Sequence, residues 1–387
     1  MNFIFDEQQL QLQEIARRFC TEHSDSAALR QAMQQPHGYD RATWLQMMAM
    51  GWGGIAVPEQ YGGLGLGQIE IAIVQQELGR RLFASPFLAS ICLAVPALLA
   101  AASAQQCADW LPALVEGERI ATLASSGARG RAGIAGIDAT LTRSGDAFEL
   151  SGVASFVPYG HIADLFIVAA RTPGSDAVSL IALPRDTAGI RCEKLTTMDM
   201  TRPSAKLIFE AVAVTGSMLL GQYGEAAPAL LRTLALGAIA VASEQVGGAE
   251  QCLTLSVDYA KQRTQFGRPI GSFQALKHKM ADMMVLVEAA KSSTYYAACA
   301  ADEDEAQLQE AAAVAKSFCS EAFAKCAGDA IQIHGGIGVT WEHEAHLYFK
   351  RARASSNLLG DVMQQREQIA AGLLDDNQPL LKQLGAL

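Results

Sequence analysis

The spacing of apolar residues changes twice along this chain. From residue 1 to about 115 it is helical. In the run Glu7 to Phe19 the apolar positions Leu12, Ile15, Ala16 and Phe19 fall on one helix face. Leu82 to Ala102 carries no charge and is long enough to cross a bilayer. Pro86 and Pro96 interrupt it, and Ala and Ser fill it, so buried helices are expected there and no membrane span. From 116 to 222 the runs shorten. Ile137–Thr142 and Ala147–Gly152 alternate in part around Ser144-Gly145-Asp146, which predicts a β-hairpin. Leu165–Ala170 and Ala177–Leu183 are continuous apolar runs and predict buried strands. From 223 to 387 the helical interval returns. Ala226–Ala260 is nearly uniformly apolar as far as Ala242 and predicts a helix buried on most sides. Asp302-Glu303-Asp304-Glu305 predicts a solvated loop, and Ala306–Ala330 a further helix. The pattern is α+β and multidomain: an N-terminal α-helical domain over 1–115, a small middle β-domain, barrel or sandwich, over 116–222, and a C-terminal helical domain over 223–387.

Composition narrows the function classes. The chain has 387 residues, 50% of them hydrophobic and 18% charged, which suits a large core or extensive subunit contacts. A net charge of -10 argues against nucleic acid as a general partner, while leaving room for a local basic pocket. The eight cysteines sit among apolar neighbours without a Cys-x-x-Cys spacing, so no metal site is expected. Met1 to Glu7 lacks the basic start and apolar run of a secretory signal. A reducing, cytoplasmic location is expected.

The candidate chemistry centres on Tyr259–Met283. A helix is expected to end in the basic run Lys261–Arg263. A turn follows at Gly267–Gly271, and a second helix opens at Ser272, read as its N-cap. Basic and amide groups at such a junction suit a phosphate. Arg263-x-x-Phe266-Gly267-x-Pro269-Ile270-Gly271-x-Phe273-Gln274 resembles the flavin-binding signature of the acyl-CoA dehydrogenase family. Two more stretches resemble family motifs, in family order. Val57 to Gly67 is similar to the N-terminal motif, whose Gly-rich loop helps shape the acyl-binding side. Gln332-Ile333-His334-Gly335-Gly336 is similar to the C-terminal Gly-Gly loop. The resemblance spans nearly the whole chain and implies the family layout, in which a small β-domain stands between helical halves and the C-terminal domain is a four-helix bundle.

It also implies a reaction. In the family a carboxylate removes the α-proton of an acyl-CoA thioester, and the β-hydrogen leaves as hydride to FAD. The base is a Glu at one of two places. Here a gapless count from Gln332 puts the first on Leu359, ahead of Gly360 and Asp361, and a count back from Phe266 puts the second on Gly237. Neither is acidic. Asp361 and Glu244 are the substitutes in reach. Asp361 also reads as a helix cap, and Glu244 as a helix carboxylate satisfied by Arg or Lys. The hydroxyl-bearing segments that hold a chain's own flavin are altered as well. Leu123 to Gly130 stands where the family has Thr-Glu-Pro-x-Ala-Gly-Ser-Asp. Phe156-Val157-Pro158 stands where it has Trp-x-Thr/Ser, and Pro158 has neither hydroxyl nor N–H.

What the resemblance leaves intact are residues that in the family reach a neighbouring subunit's FAD: Arg263 at the pyrophosphate, with Phe266, Gln274, Gln332, Gly335 and Gly336 towards the nucleotide end. The combination resembles the smaller or non-catalytic subunits of heteromeric acyl-CoA dehydrogenases, which handle bulky acyl groups such as steroid side chains or dicarboxylic acids. Three readings follow. One is a subunit paired with a related chain, as a heterotetramer. One is a self-sufficient homo-oligomer using Asp361, or Glu244, as base. The third is a flavin-free binding or structural protein. A flavin oxidase or monooxygenase on the same fold is a lesser variant. For either dehydrogenase reading the expected oxidant is an electron-transfer flavoprotein. Pocket shape is expected from Leu82–Ala102 and Ala226–Ala242.

Overall fold

The computed structural model describes residues 5–145 and 147–374. Asp146 of the expected hairpin turn, residues 1–4 and residues 375–387 of the C-terminal segment lie outside them. The N-terminal part is helical: α1 (Glu7–His23), α2 (Ser26–Gln34), α3 (Arg41–Ala49), α4 (Gln68–Arg80), α5 (Phe87–Ala89), α6 (Val95–Ala101) and α7 (Ala104–Val115). Aspartates start three of these helices. The side chains of Asp6, Asp25 and Asp40 accept hydrogen bonds from Gln9, Ala28 and Thr43 backbone N–H groups at 2.7–2.8 Å. Between α5 and α6 the chain makes a π-helical turn, Ser90–Ala94, every residue of which is buried. The uncharged Leu82–Ala102 stretch is thus core helix, as its prolines and alanines suggested.

The middle strands are β1 (Ala121–Ala124), β2 (Thr140–Ser144), β3 (Ala147–Pro158), β4 (Leu165–Arg171), β5 (Val178–Pro184), β6 (Ile190–Lys194), β7 (Ser204–Val214) and β8 (Leu219–Leu220). They form one sheet in the order β6-β7-β3-β2-β4-β5-β8, with β1 added parallel to β4. β2 and β3 are the expected hairpin, with Thr140 opposite Ser151 and Ser144 opposite Ala147. β4 and β5 pair antiparallel and are buried along almost their whole length. β3 slips register against β7 between Ala154 and Val157. Phe156 lies at that slip with φ 56° and is 47% exposed, so the irregularity turns the ring out of the sheet.

The C-terminal part is α8 (Ala227–Gln262), a tight hairpin of β9 (Thr264–Gln265) and β10 (Arg268–Pro269), α9 (Gln274–Glu303), α10 (Leu308–His334), α11 (Ala345–Asn357) and α12 (Val362–Leu374). α8 packs on α4, α9 and α10, and α11 and α12 close the bundle against α10. Two sequence expectations are corrected. Ser272 does not cap α9: Ile270–Ser272 is a 3-10 turn anchored by buried Ile270, and the helix opens at Gln274 behind Phe273. Asp302 and Glu303 are not loop residues but the last turn of α9. Asp302 caps a different helix, accepting from Gln68 N at 2.8 Å and Ile69 N at 3.2 Å at the start of α4.

A buried ionic cluster ties the sheet to the bundle. Glu244 on α8 accepts hydrogen bonds from Arg202, which lies just before β7, and from Arg351 on α11 at 3.1 Å. Arg351 also meets Asp199 at 2.7 Å, and Thr201 bridges Asp199 and Arg351. Burial lowers the Arg202 pKa. Burial would raise that of Asp199, but Arg351 and Thr201 hold it below the usual carboxylate value. The expectation that Glu244 is satisfied by Arg or Lys matches this geometry, in which both partners are arginines. Glu244→Ala leaves Arg202 buried without its carboxylate and should lower stability by about 3–5 kcal/mol. The check is a shifted urea midpoint at unchanged slope. A midpoint like that of the wild type would contradict the tie.

Candidate functional site

Three helix ends meet at one end of the bundle. Lys279 of α9 bonds Asp329 of α10 at 2.8 Å, which sets the start of α9 beside the end of α10. Tyr259, near the end of α8, packs its ring 4.4 Å from that of His334, the last residue of α10. Arg263, Phe266, Gln274, Gln332, Gly335 and Gly336 are therefore gathered at this end, and all six are exposed. Phe266 is 90% exposed and sits at φ 54°, an uncommon conformation for an aromatic residue. Among the described residues no carboxylate pairs with Arg263. Gly335 needs its freedom for φ 64°. Gly336 has no such need, and a Cβ there would meet nothing within 4 Å. Its smallness is thus not explained by this chain's own packing. A cation, two amides and an open glycine pair facing outward suit the pyrophosphate and nucleotide end of a dinucleotide brought by another molecule.

A second locus is a cleft of about 960 Å³ between the sheet and the turn joining α11 to α12. Arg129, Arg131 and Arg353 line it, and none has an ion pair among the described residues. Phe156, Arg202 and Leu359 line it too. The hydroxyl expected two residues after Phe156 is missing. Pro158 offers only a carbonyl, already bonded by the Thr122 hydroxyl at 2.7 Å, and Ala124 is a buried strand residue. The three arginines suit the anionic end of a nucleotide.

The two places expected for a base converge. A Cβ built on Gly237 of α8 would lie 2.4 Å from Leu93 Cδ2 and 2.8 Å from Leu359 Cδ1. Two positions 122 residues apart by the numbering thus share one spot, and both are apolar. Glu244 is consumed by Arg202 and Arg351. Asp361 lines the cleft, but its carboxylate accepts from Gln364 N at 2.8 Å at the start of α12 while Gln364 bonds back to Asp361 N, a reciprocal cap. The turn between is strongly held. Buried Lys316, its pKa pushed down to about 8 by burial, donates to Ser356 O and Gly360 O at 3.2 Å, and Gln365 donates to Leu359 O at 2.9 Å.

A chamber of about 210 Å³ is lined by Ile71, Cys92, Val95, Leu99 and Leu236, with Gln68 and Arg232 also on its wall. These come largely from the two segments expected to shape a pocket. Sequence reasoning missed Asp199, Thr201, Arg202 and Arg351, and the direction of Leu93. The Asp-x-Thr-Arg run before β7 was the one local signal, since four residues there offer three polar side chains at a strand entrance.

Profiles for two domains match the chain: one described as acyl-CoA dehydrogenase, N-terminal domain, over residues 6–118, and one as acyl-CoA dehydrogenase, C-terminal domain, over 227–374. The chain is 39% identical over 354 residues to acyl-CoA dehydrogenase IpdE2 of Mycobacterium tuberculosis, covering 91% of this chain and 93% of that protein. It is similar to a chain of the ChsE4-ChsE5 complex from the same organism, with a TM-score of 0.90 at 27% identity, covering 98% of this chain and 100% of that one. It is also similar to butyryl-CoA dehydrogenase from Megasphaera elsdenii, with a TM-score of 0.88 at 27% identity, covering 97% and 100%.

Two histidines carry a buried ring nitrogen without a hydrogen-bond partner among the described residues: His161 Nδ1, three residues past Pro158, and His346 Nε2, in the first turn of α11. Burial, with neighbouring Lys194 in one case and Lys350 and Arg30 in the other, pushes each pKa down to about 4. Both folded values lie below the unfolded value of about 6.5. The neutral rings therefore contribute stability in full above about pH 6.5, and lose it as pH falls towards 4. Denaturation midpoints should decline across that window and flatten in His161→Gln/His346→Gln. An unchanged slope in the double variant would contradict the assignment.

Proposed function

This chain belongs to the acyl-CoA dehydrogenase family, and we propose that it works as one subunit of a heteromeric acyl-CoA dehydrogenase. In that reading it completes an FAD site in a related partner and performs no proton abstraction itself. The observation that carries the reading is a contrast. The six outward-facing residues at the bundle end are all present, whereas the spot shared by both base positions holds Gly237 and Leu359. Similarity to a chain of a two-protein complex supports it.

Each residue then has a role set by its chemistry. Arg263 neutralises the pyrophosphate of the partner's FAD. Gln274 and Gln332 hydrogen-bond the nucleotide end. Gly335 and Gly336 let backbone approach it closely. FAD, when bound, accepts the β-hydrogen as hydride. The partner provides the cleft that holds the acyl-CoA and the carboxylate that takes the α-proton. An electron-transfer flavoprotein is the expected oxidant. All eight cysteines are free, which agrees with action in a reducing cytoplasm. Bulky acyl groups, such as steroid-derived or dicarboxylic ones, are the substrate class of this reading.

A second reading keeps the chain self-sufficient, with Asp361 as base, because Asp361 does line the cleft. The two are separated by one set of variants. In the complex with the partner, Arg263→Ala should weaken FAD retention by roughly 10- to 100-fold, the worth of a charge-assisted hydrogen bond. Asp361→Asn should leave turnover unchanged. If the purified chain alone carries flavin that bleaches with an acyl-CoA, and Asp361→Asn abolishes the bleaching, the self-sufficient reading replaces the first.

A further inference from the structure

Leu93 and Leu359 reach one point, each from an irregular piece of backbone. Leu93 lies in the π-helical turn Ser90–Ala94, whose extra residue per turn redirects the side chains that follow it. It is 1% exposed. Leu359 sits at φ 60°, a strained conformation for a branched L-residue, and is kept there by Gln365 on its carbonyl and Lys316 on the next one. Gly237 alone permits both approaches, because a Cβ there would stand 2.4 Å from one methyl group and 2.8 Å from the other. A glycine inside a helix costs about 1 kcal/mol relative to alanine. Strain, a π-turn and a helical glycine thus coincide at one contact.

That contact lies between elements that line two spaces. Leu359 lines the 960 Å³ cleft. Cys92 and Leu236, the chain neighbours of Leu93 and Gly237, line the 210 Å³ chamber. We infer that Leu93 and Leu359, closed on Gly237, form an apolar gate that bars the acyl part of a CoA thioester from the chamber of this subunit. The three arginines of the cleft can hold the phosphates of CoA, and the closed gate bars the acyl group from passing on to the chamber. The inference deepens the reading of this chain as a non-abstracting subunit and rests on it. It names the device that keeps substrate in the partner's cleft.

Leu359→Gly opens the gate and also removes the left-handed strain, so this variant should fold. Leu93→Ala opens it at the other leucine and tests the same point in the core. The probes are CoA, butyryl-CoA and octanoyl-CoA, titrated calorimetrically into the purified full chain, with circular dichroism confirming the fold. In the wild type the three should bind alike, within about twofold. In Leu359→Gly affinity should rise with acyl length, by about tenfold for each two methylenes that reach the chamber. Length-dependent binding by the wild type would overturn the gate, as would a folded Leu359→Gly that shows no length dependence or binds no CoA thioester. Turnover by the wild-type chain alone would instead overturn the subunit reading. Failure of the gate and failure of that reading are therefore told apart.

Discussion

A carboxylate buried between two arginines fixes how the sheet meets the helices. Glu244, Arg202, Arg351 and Asp199 are each less than one-tenth exposed. Charges so far from water are tolerated only when paired, and removing one strands the rest. The cluster therefore specifies one placement of the Asp199–Arg202 segment against α8 and α11. That placement sets one wall of the cleft and, through α11, the turn that carries Leu359. It also decides a chemical question. Glu244 is two helical turns from Gly237, but a carboxylate that serves as the counter-ion of two arginines is not available to take a proton from carbon.

From that fixed frame the two loci diverge. At the bundle end polar groups and glycines are exposed, and among the described residues no carboxylate pairs with Arg263. At the cleft the position of the expected base is filled by methyl groups, and the position of the expected hydroxyl by a proline whose carbonyl is occupied. The cleft retains three arginines suited to an anion, while the spot shared by both base positions is apolar.

Local patterns in the sequence carried much of this architecture. The β2–β3 hairpin, the buried β4 and β5 strands, α8 and the apolar helices near Leu82–Ala102 were legible because each depends on spacing within one short window. The meeting of Leu359 with Gly237 was foreshadowed by two independent counts along the chain, although nothing local says that they converge. The ionic cluster was legible only at Glu244, and its partners were not. Asp199 and Arg351 lie 152 residues apart, and a lone Arg on a helix reads as solvated until its neighbours are placed. Leu93 escaped because a π-turn shifts side chains off the 3.6-residue interval. Asp302 was misread because an acidic run looks like a loop, whereas a helix lacking its own cap recruited the first of those acids from across the fold. Ser272 was misread because buried Ile270 tightens the turn before the helix can begin.

The most direct measurement is the number of FAD molecules in the complex of this chain with its related partner, counted by native mass spectrometry. If this chain completes a partner's site and builds none of its own, the complex holds one FAD for each pair of chains, and Arg263→Ala in this chain depletes it. One FAD for every chain, or a flavin that stays with this chain when the partner is removed, would contradict the division of labour.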